Sequence, residues 1–545
     1  MRRLTELLAE ITAAEETSTR TGMPTLEILE RRIERRDFLR KAAMTGVGMA
    51  AVPSFLAACT SNTKTSPAER PTAGASEGAA RVVIVGAGLA GMTTAYRLWQ
   101  AGYSPLVFEA DDRFGGRTET VTDFFDGGQH IEECGDSINS NHKAMLGLVS
   151  ELGLELDNLW SYYDGHLSGI NWIDDQQYTR QQLVADFQEV YPALHRDTQA
   201  APWPTTYDSY TDAALRLDNT TLAQWIDENV PGGRKSSFGK LIDVAYVGEY
   251  GLETEEQSAL NLMYEMGYST KDRFQLWGNQ DWKWRVRGGN ELVTKTIADK
   301  LPDGSITLES PLRAILKKSD GTYALSFDQG ARTVDVGADR VVLTLPFTAL
   351  RQVDYSQAGF DELKDKAIRT LGMGTNARLY IQFSDKVWEK QGLSGDSITD
   401  LPFQETEIVN PPASDYSGGT LCVYTGGKTG ASYQVEEDDG PPPDEIVTST
   451  LAQLDTYMPG ASAAWNGKAF IHVPTKDEWL QGSYSCPKPG EYTSIYGSEL
   501  LPQGAVHFAG EHTSINFIGF MNGAVESGER AATEVIEALG GPAGS

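Results

Sequence analysis

The feature that most constrains the fold is a glycine-rich turn placed directly after a run of β-branched residues. Residues 81–85 read Arg-Val-Val-Ile-Val and predict a buried parallel strand, and residues 86–91 read Gly-Ala-Gly-Leu-Ala-Gly. A helical pattern follows over residues 92–101, and a second strand at 105–108 leads into Glu109. This order of strand, glycine turn, helix, strand and acid predicts a dinucleotide-binding α/β fold.

Each part of the turn has a physical task in binding a pyrophosphate. Gly86 permits the tight turn, Gly88 lets the backbone approach the phosphates, and Gly91 lets the helix pack closely on the strand. The helix N-terminus offers unpaired N–H groups and the positive end of its dipole. Glu109 follows where a carboxylate can accept hydrogen bonds from a ribose hydroxyl. The turn alone does not separate NAD from FAD.

The stretch after Glu109 resembles the flavin amine oxidase family, which includes monoamine, polyamine and L-amino acid oxidases. Residues 113–118 read Arg-Phe-Gly-Gly-Arg-Thr, and the family uses such a stretch to hold the FAD phosphates. The resemblance therefore implies that Gly116 and Arg117 contact FAD, with Arg117 forming a charge-assisted contact to a phosphate oxygen.

The far end of the chain resembles the C-terminal FAD motif of the same family. Residues 505–509 predict a buried strand that runs into Gly510 and Glu511, and a helix is predicted over residues 525–539. The resemblance implies that Glu511, with Gly510 before it, binds the ribityl chain of the flavin. It also implies that the backbone at Met521 points a helix N-terminus at the flavin pyrimidine.

Two further segments resemble cofactor-binding parts of the family. Residues 131–138 resemble the strand and loop that pass near the flavin ring, which implies a contact at Gly135. Residues 311–315 resemble the strand whose backbone contacts adenine, and Leu312 is the position expected to make this contact. An ordinary core leucine is the alternative for Leu312.

The resemblance implies an α/β fold with a discontinuous FAD-binding Rossmann-like domain, a mixed-sheet substrate domain and a helical subdomain. The expected boundaries are 80–142, 285–345 and 496–545 for the FAD-binding domain, 143–284 for the helical subdomain, and 346–495 for the substrate domain.

Three side chains are expected at the reacting centre. The family often places two aromatic walls over the flavin, because such walls align an amine without donating protons, and the resemblance puts Tyr484 and Phe520 there. Core packing is the alternative for both rings. Many members also place a lysine near flavin N5, and Lys283 is the candidate, with a surface lysine as the alternative. Some relatives attach FAD to a cysteine where this chain has Ser483, so noncovalent FAD is expected.

Charge and the placement of arginines bear on the substrate. The chain has 46 Lys and Arg against 76 Asp and Glu, a net charge of −30, which disfavours nucleic acid and favours cationic solutes. Residues 118–122 lack the arginine that clamps the substrate carboxylate in one branch of L-amino acid oxidases; Arg285 and Arg287 are candidates for that clamp. The acids of residues 131–138 are candidates to meet a second positive charge on a diamine or a basic amino acid, with solvated loop acids as the alternative.

The N-terminal segment resembles an export signal. Residues 35–41 read Arg-Arg-Asp-Phe-Leu-Arg-Lys, like a twin-arginine motif, and a mildly apolar run without charge follows over 42–58. Residues 56–59 have the form of a lipobox, so Cys59 is expected either to carry a lipid or to follow a plain cleavage site. Residues 60–79 predict a flexible tether. The expected location is periplasmic or extracellular.

The predicted activity is FAD-dependent oxidative deamination of an L-amino acid, including a basic one such as arginine, or of a primary amine. Molecular oxygen is the expected acceptor, and a carbonyl compound, ammonia and hydrogen peroxide are the expected products. A flavin desaturase or dehydrogenase with another acceptor, and a noncatalytic FAD-binding lipoprotein, are the alternatives. No Cys-x-x-Cys pair or histidine cluster predicts a metal site, and the sequence leaves dimerisation open.

Overall fold

The glycine turn joins the central strand of a five-stranded parallel sheet to the helix that packs on that sheet. The computed structural model describes residues 80–162, 167–409 and 416–543. The predicted export signal, lipobox and tether therefore lie outside the described residues.

The strands are numbered in chain order. The described residues form β1 (Val82–Val85), β2 (Leu106–Phe108), β3 (Thr120–Val121), β4 (Ile131–Glu132), β5 (Leu156–Asn158), β6 (Ser168–Ile173), β7 (Gln176–Gln177), β8 (Trp284–Val286), β9 (Ile306–Thr307), β10 (Leu312–Lys317), β11 (Tyr323–Gln329), β12 (Arg332–Ala338), β13 (Arg340–Leu343), β14 (Asp354–Gln357), β15 (Ala377–Phe383), β16 (Leu393–Thr399), β17 (Glu405–Ile408), β18 (Gly419–Thr425), β19 (Asp439–Gly440), β20 (Trp465–His472) and β21 (Val506–Phe508).

The helices are numbered in the same way. They are α1 (Leu89–Gln100), α2 (Lys143–Leu152), α3 (Arg180–Ala200), α4 (Asp212–Asp218), α5 (Leu222–Asn229), α6 (Ser237–Tyr250), α7 (Ala259–Glu265), α8 (Leu292–Lys300), α9 (Phe347–Leu350), α10 (Glu362–Thr370), α11 (Gly427–Ala431), α12 (Asp444–Leu454), α13 (Ala461–Ala464) and α14 (Met521–Ala538).

Three larger sheets organise these strands. The parallel sheet has the order β21-β13-β1-β2-β9, so strands from widely separated parts of the chain lie side by side. In its register Val83 pairs with Val341, and Val341 pairs with Val506. A four-stranded sheet has the order β12-β11-β10-β14. An eight-stranded sheet has the order β19-β20-β15-β18-β17-β16-β6-β7. These sheets confirm the predicted α/β class.

Strand β1 is buried on both faces, as its run of β-branched residues predicts. Val82 and Ile84 face the core that contains helices α1 and α14, whereas Val83 and Val85 face a second core beside the four-stranded sheet. Helix α14 crosses α1 closely at Gly528, where an added Cβ atom would lie 2.5 Å from the Ala90 carbonyl oxygen. The dinucleotide strand is therefore held in the interior from both sides.

Two features differ from the sequence-based expectation. Helix α14 begins at Met521, four residues before the predicted start at Val525. Strands β6 and β7 come from the segment predicted to be helical, yet they form one edge of the eight-stranded sheet. The helical pattern of α3 to α7 dominates that segment and hides the short strands. Within the described ranges, no helix has the length and apolar character needed to span a bilayer.

Replacing Gly91 with alanine is expected to destabilise the protein. A Cβ atom at Gly91 would lie 2.0 Å from the carbonyl oxygen of Gly86, which is backbone and cannot move aside without distorting the turn. We expect a loss of about 1–3 kcal/mol in the free energy of unfolding, in the range of overpacked sites. The measurement is the urea midpoint of each purified variant.

Gly147→Ala is the matched control, because Gly147 lies within helix α2 with nothing within 4 Å of an added Cβ atom. Alanine in a helix interior is more stable than glycine by roughly 0.5–1 kcal/mol. A Gly91→Ala variant as stable as the Gly147→Ala variant would contradict the close packing of α1 on the turn.

Candidate active site

One cavity of about 780 Å³ collects residues from both ends of the chain. Its volume lies within the roughly 300–1,000 Å³ typical of ligand and cofactor sites. Most of the side chains and glycines predicted to bind cofactor or substrate line it. These are Gly86, Gly88, Glu109, Gly116, Arg117, Gly135, Leu312, Tyr484, Gly510, Glu511, Phe520 and Met521. Gly91 and Lys283 are not among the lining residues.

The glycine turn presents backbone rather than side chains to the cavity. Gly86 has a φ of 100°, in the left-handed region that favours glycine. Gly88 is the N-cap of α1, and no described side chain accepts a hydrogen bond from the N–H groups at this helix start. A Cβ atom at Gly116 would lie 3.3 Å from the Gly88 Cα atom. The two glycine segments therefore form a narrow backbone cradle suited to an anion.

Glu109 is held at the cavity wall by backbone N–H groups. Its Oε2 atom accepts a hydrogen bond from the Ala87 N–H at 2.5 Å, and its Oε1 atom accepts one from the Asp111 N–H at 3.1 Å. Burial raises the pKa of Glu109, and these two N–H groups oppose the rise. A carboxylate has acceptor capacity beyond two such bonds, so Glu109 can also receive hydroxyl donors from the cavity.

Arg117 and Glu511 form an ion pair that joins the two sequence motifs. The Arg117 Nη1 atom lies 2.9 Å from the Glu511 Oε1 atom and also donates to the Ser483 carbonyl oxygen at 2.9 Å. The Gly519 N–H donates to the other Glu511 oxygen at 2.7 Å. Burial disfavours the Glu511 anion, but Arg117 holds the pKa of Glu511 below its ordinary value. The predicted phosphate contact of Arg117 and ribityl contact of Glu511 stay predictions; both side chains bind protein groups here.

A second helix N-terminus opens onto the same cavity. Phe520 is the N-cap of α14, and among the described residues no side chain caps this helix. A Cβ atom at Gly135 would lie 2.9 Å from the Met521 side chain and 3.1 Å from the Arg117 carbonyl oxygen. Gly135 therefore lets its loop pass directly against the start of α14, where Met521 lines the cavity.

Leu312 lies on the cavity wall, whereas Lys283 is not among the lining residues. Leu312 begins β10, lines the cavity and is also part of the buried core beside the four-stranded sheet, so its backbone can contact a ligand while its side chain packs. The Lys283 Nζ atom lies over the rings of Trp160 and Trp284, 5.4 Å and 4.9 Å from their centroids. Lys283 is not among the cavity-lining residues, and its place near flavin N5 stays a prediction.

Tyr484 and Phe520 both lie on the cavity wall. The Tyr484 hydroxyl donates to the Glu249 carbonyl oxygen at 2.5 Å and lies 2.8 Å from the Tyr424 hydroxyl. The Phe520 ring packs against His142, with the two centroids 5.1 Å apart. Hydrogen bonds thus fix one aromatic wall and packing fixes the other.

Serine rather than cysteine stands before Tyr484, and its hydroxyl is used by the protein. The Ser483 Oγ atom donates to the Asn376 Oδ1 atom at 2.7 Å. Cys486 is fully buried and is not among the cavity-lining residues. This arrangement is compatible with the expected noncovalent FAD.

A buried cluster of one acid and two arginines was not predicted. Asp136 pairs with Arg285, and the Arg378 Nη1 atom lies 3.1 Å from the Asp136 Oδ2 atom. The Arg378 guanidinium also lies over the Tyr424 ring, 4.8 Å from its centroid. Burial disfavours the Asp136 anion, but Arg285 and Arg378 hold the pKa of Asp136 below its ordinary value. The sequence feature that could have indicated this cluster is the presence of an arginine, Arg378, within the apolar strand β15.

The sequence suggests Arg285 as a candidate clamp for a substrate carboxylate and Asp136 as one of the acids that could meet a second positive charge. The Asp136 carboxylate pairs with two arginines, Arg285 and Arg378. The Glu132 carboxylate accepts hydrogen bonds from the Thr120 hydroxyl and the Asn290 N–H. Arg287 is exposed and pairs with Glu155 and Asp157. These contacts argue against a carboxylate clamp at Arg287 and against a cation site formed by Glu132 and Asp136.

The residues present fit a dinucleotide with a second ring system. The glycine cradle and the start of α1 suit a pyrophosphate, Glu109 suits a ribose, and the start of α14 suits a ring that gains negative charge. These features share one cavity.

Comparison with known proteins agrees with this geometry. A family model described as flavin containing amine oxidoreductase matches residues 89–536. A Dictyostelium discoideum protein named "Probable flavin-containing monoamine oxidase A" is 27% identical over 484 residues, covering 84% of this chain and 98% of its own. An L-amino-acid oxidase of Siganus canaliculatus is 25% identical, covering 83% of this chain and 85% of its own.

A solved structure shares the fold. Cyclohexylamine oxidase from Brevibacterium oxydans matches with a TM-score of 0.70 and 24% identity, covering 84% of this chain and 99% of its own. The two folds correspond over most of this chain, and FAD is the cofactor of the protein. The chain belongs to the flavin-containing amine oxidoreductase family.

Proposed function

We propose that the protein catalyses oxidative deamination of a primary amine or an L-amino acid with molecular oxygen as the electron acceptor. The observation that carries this proposal is that Tyr484 and Phe520 line the same cavity as the glycine cradle and the start of α14. When bound, FAD supplies the two-electron oxidant, and the protein binds, orients and desolvates the amine. The amine, dioxygen and water are converted into a carbonyl compound, ammonia and hydrogen peroxide.

The aromatic wall is arranged so that it does not protonate the amine. Because the single hydroxyl proton of Tyr484 goes to the Glu249 carbonyl oxygen, Tyr484 accepts the hydrogen bond from Tyr424. Burial raises the pKa of both phenols, so both stay neutral. The Tyr484 ring is therefore a fixed neutral surface against which an uncharged amine can be aligned.

The positive charge of Arg378 also favours an uncharged substrate amine. Its guanidinium lines the cavity next to Tyr424 and keeps its positive charge at every relevant pH. A nearby positive charge lowers the pKa of an amine and favours its neutral form, which is the reactive one. Asp136 fixes the guanidinium in position.

Reduction of the bound flavin tests the activity. The purified protein should be yellow, its flavin absorbance should bleach on anaerobic addition of a substrate amine, and air should restore the colour with release of peroxide. A panel of primary amines and all L-amino acids is the probe. Slow reoxidation in air would favour a dehydrogenase, and a flavin that no compound reduces would favour a binding protein.

Tyr484→Ala is expected to lower kcat/KM by about 100-fold, since loss of the wall lets the amine move out of line. Tyr484→Phe should lose less than about 10-fold, because the ring remains and only the hydroxyl contacts are removed. Steady-state kinetics at a fixed concentration of bound flavin make the comparison.

Tyr210→Ala serves as the control, because Tyr210 is 47% exposed and is not among the cavity-lining residues. Equal losses in Tyr484→Phe and Tyr484→Ala would assign the effect to the hydroxyl rather than to the aromatic wall.

We further propose export through the twin-arginine route, which rests on residues 35–41 and on the expected need to fold around the cofactor first. A double Arg35→Lys, Arg36→Lys variant should accumulate inside the cell in flavin-bound form. Cell fractionation measures the distribution. Unchanged export of the double variant would refute the route, and Cys59→Ala tests separately whether a lipid retains the exported protein at the membrane.

A further inference from the structure

Two carboxylates on the cavity wall have no positively charged partner among the residues that the structure describes. Glu249 and Glu265 both line the cavity, and neither forms an ion pair with a described lysine, arginine or histidine. Among the other lining acids, Glu511 pairs with Arg117 and Asp136 pairs with Arg285 and Arg378, whereas Glu109, Glu407 and Glu478 form no ion pair with a described cation either. Glu249 and Glu265 differ from those three acids because one side chain, Gln280, contacts both of them.

A single amide group lies between the two carboxylates. The Gln280 Nε2 atom donates to the Glu249 Oε1 atom at 2.9 Å and to the Glu265 Oε2 atom at 3.4 Å. This use of the amide nitrogen leaves the buried Gln280 Oε1 atom without a hydrogen-bond partner in the described part of the chain. Gln280 also lines the cavity. The three side chains thus offer several acceptors and only one donor group.

Helix ends add to the negative potential at this place. Glu249 lies in the last turn of α6, which has 14 residues and ends at Tyr250, and Glu265 is the last residue of α7. The C-terminal end of a helix carries partial negative charge and favours a cation. Burial raises the pKa of both carboxyls, Glu249 raises the pKa of Glu265 further, and the Gln280 amide opposes both shifts. A cation held between the two carboxyls would favour their ionised forms.

The pair lies next to the proposed reacting centre. The Tyr484 hydroxyl donates to the backbone carbonyl of Glu249, so the residue that carries this carboxyl also contacts the aromatic wall. Tyr250, Tyr264 and Tyr268 also line the cavity, and tyrosine faces attract organic cations. A substrate with one amine at Tyr484 thus has room for a second polar group at the carboxylates.

We propose that Glu249, Glu265 and Gln280 form a binding subsite for a second cationic group, so that the preferred substrate is an amine carrying another ammonium or guanidinium group. The inference rests on the proposed oxidation of amines at Tyr484. The reacting nitrogen is bound neutral beside Arg378, and the distal nitrogen is bound as a cation between the two glutamates. Diamines and basic L-amino acids both carry the required group.

Four compounds distinguish the effect of a second positive charge on the substrate from the effect of a substrate carboxylate. Pentylamine and 1,5-diaminopentane differ by a terminal amino group, as do L-norleucine and L-lysine. Each member of the second pair equals a member of the first with a carboxylate added. Anaerobic flavin reduction and steady-state kinetics in air give kcat/KM for each compound. We expect the terminal amino group to raise kcat/KM by about 10- to 100-fold in at least one pair.

Glu249→Gln and Glu265→Gln keep the shape of the side chains and remove the charge. Each variant should lower the ratio of kcat/KM between the dicationic compound and its matched partner by about tenfold, mainly through KM. Glu256→Gln is the control, because Glu256 is exposed, lies between the two in sequence and is not among the lining residues. Bound flavin absorbance verifies that each variant is folded.

The outcomes separate the subsite from the activity. If no compound reduces the flavin of the wild-type protein, the proposed function fails. If all four reduce it with equal kcat/KM, the function stands and the subsite is refuted. Equal losses for all four compounds in Glu249→Gln and Glu265→Gln also refute it, because the carboxylates then act on the reacting amine or the fold. A higher value for L-lysine than for 1,5-diaminopentane identifies a basic amino acid, and the reverse identifies a diamine.

Discussion

Parallel pairing of β1 with β13, and of β13 with β21, is the constraint on which the site depends. Parallel strands end at the same edge of a sheet, so the loops that follow them meet there. The glycine turn follows β1, and the segment containing Gly510 and Glu511 follows β21. The Arg117–Glu511 ion pair and the crossing of α1 by α14 at Gly528 both presuppose this pairing.

Much of the cofactor side could be predicted because it depends on backbone geometry. The turn at Gly86 needs a positive φ, and the approaches at Gly91 and Gly135 leave no space for a Cβ atom, so glycine marks these positions in the sequence itself. Strand β1 is a run of β-branched residues for a similar reason, since burial on both faces favours apolar side chains. Strand β21 is less easily recognised, because it contains the buried His507, which pairs with Glu534. Such local requirements can be recognised in the sequence before the fold is known.

The substrate side could be predicted only in part, because it is assembled by contacts between distant elements. Arg378 lies on β15, Glu249 lies in the last turn of α6 and Gln280 lies in a loop, and no local pattern connects them. Strand β8 places Arg285 against Asp136, a contact between distant segments that no local pattern around Lys283 indicates. Tyr484 and Phe520 were accessible only through the resemblance of their flanking segments.

The late position of β21 and α14 in the chain affects when the cofactor site can form during synthesis. They are the last strand and the last helix of the described chain, yet β21 completes the parallel sheet and the start of α14 forms part of the cavity. During translation, the ribosome releases the glycine turn long before it releases its partners. The cofactor site therefore cannot close until the segment that forms β21 and α14 has been synthesised, long after the glycine turn.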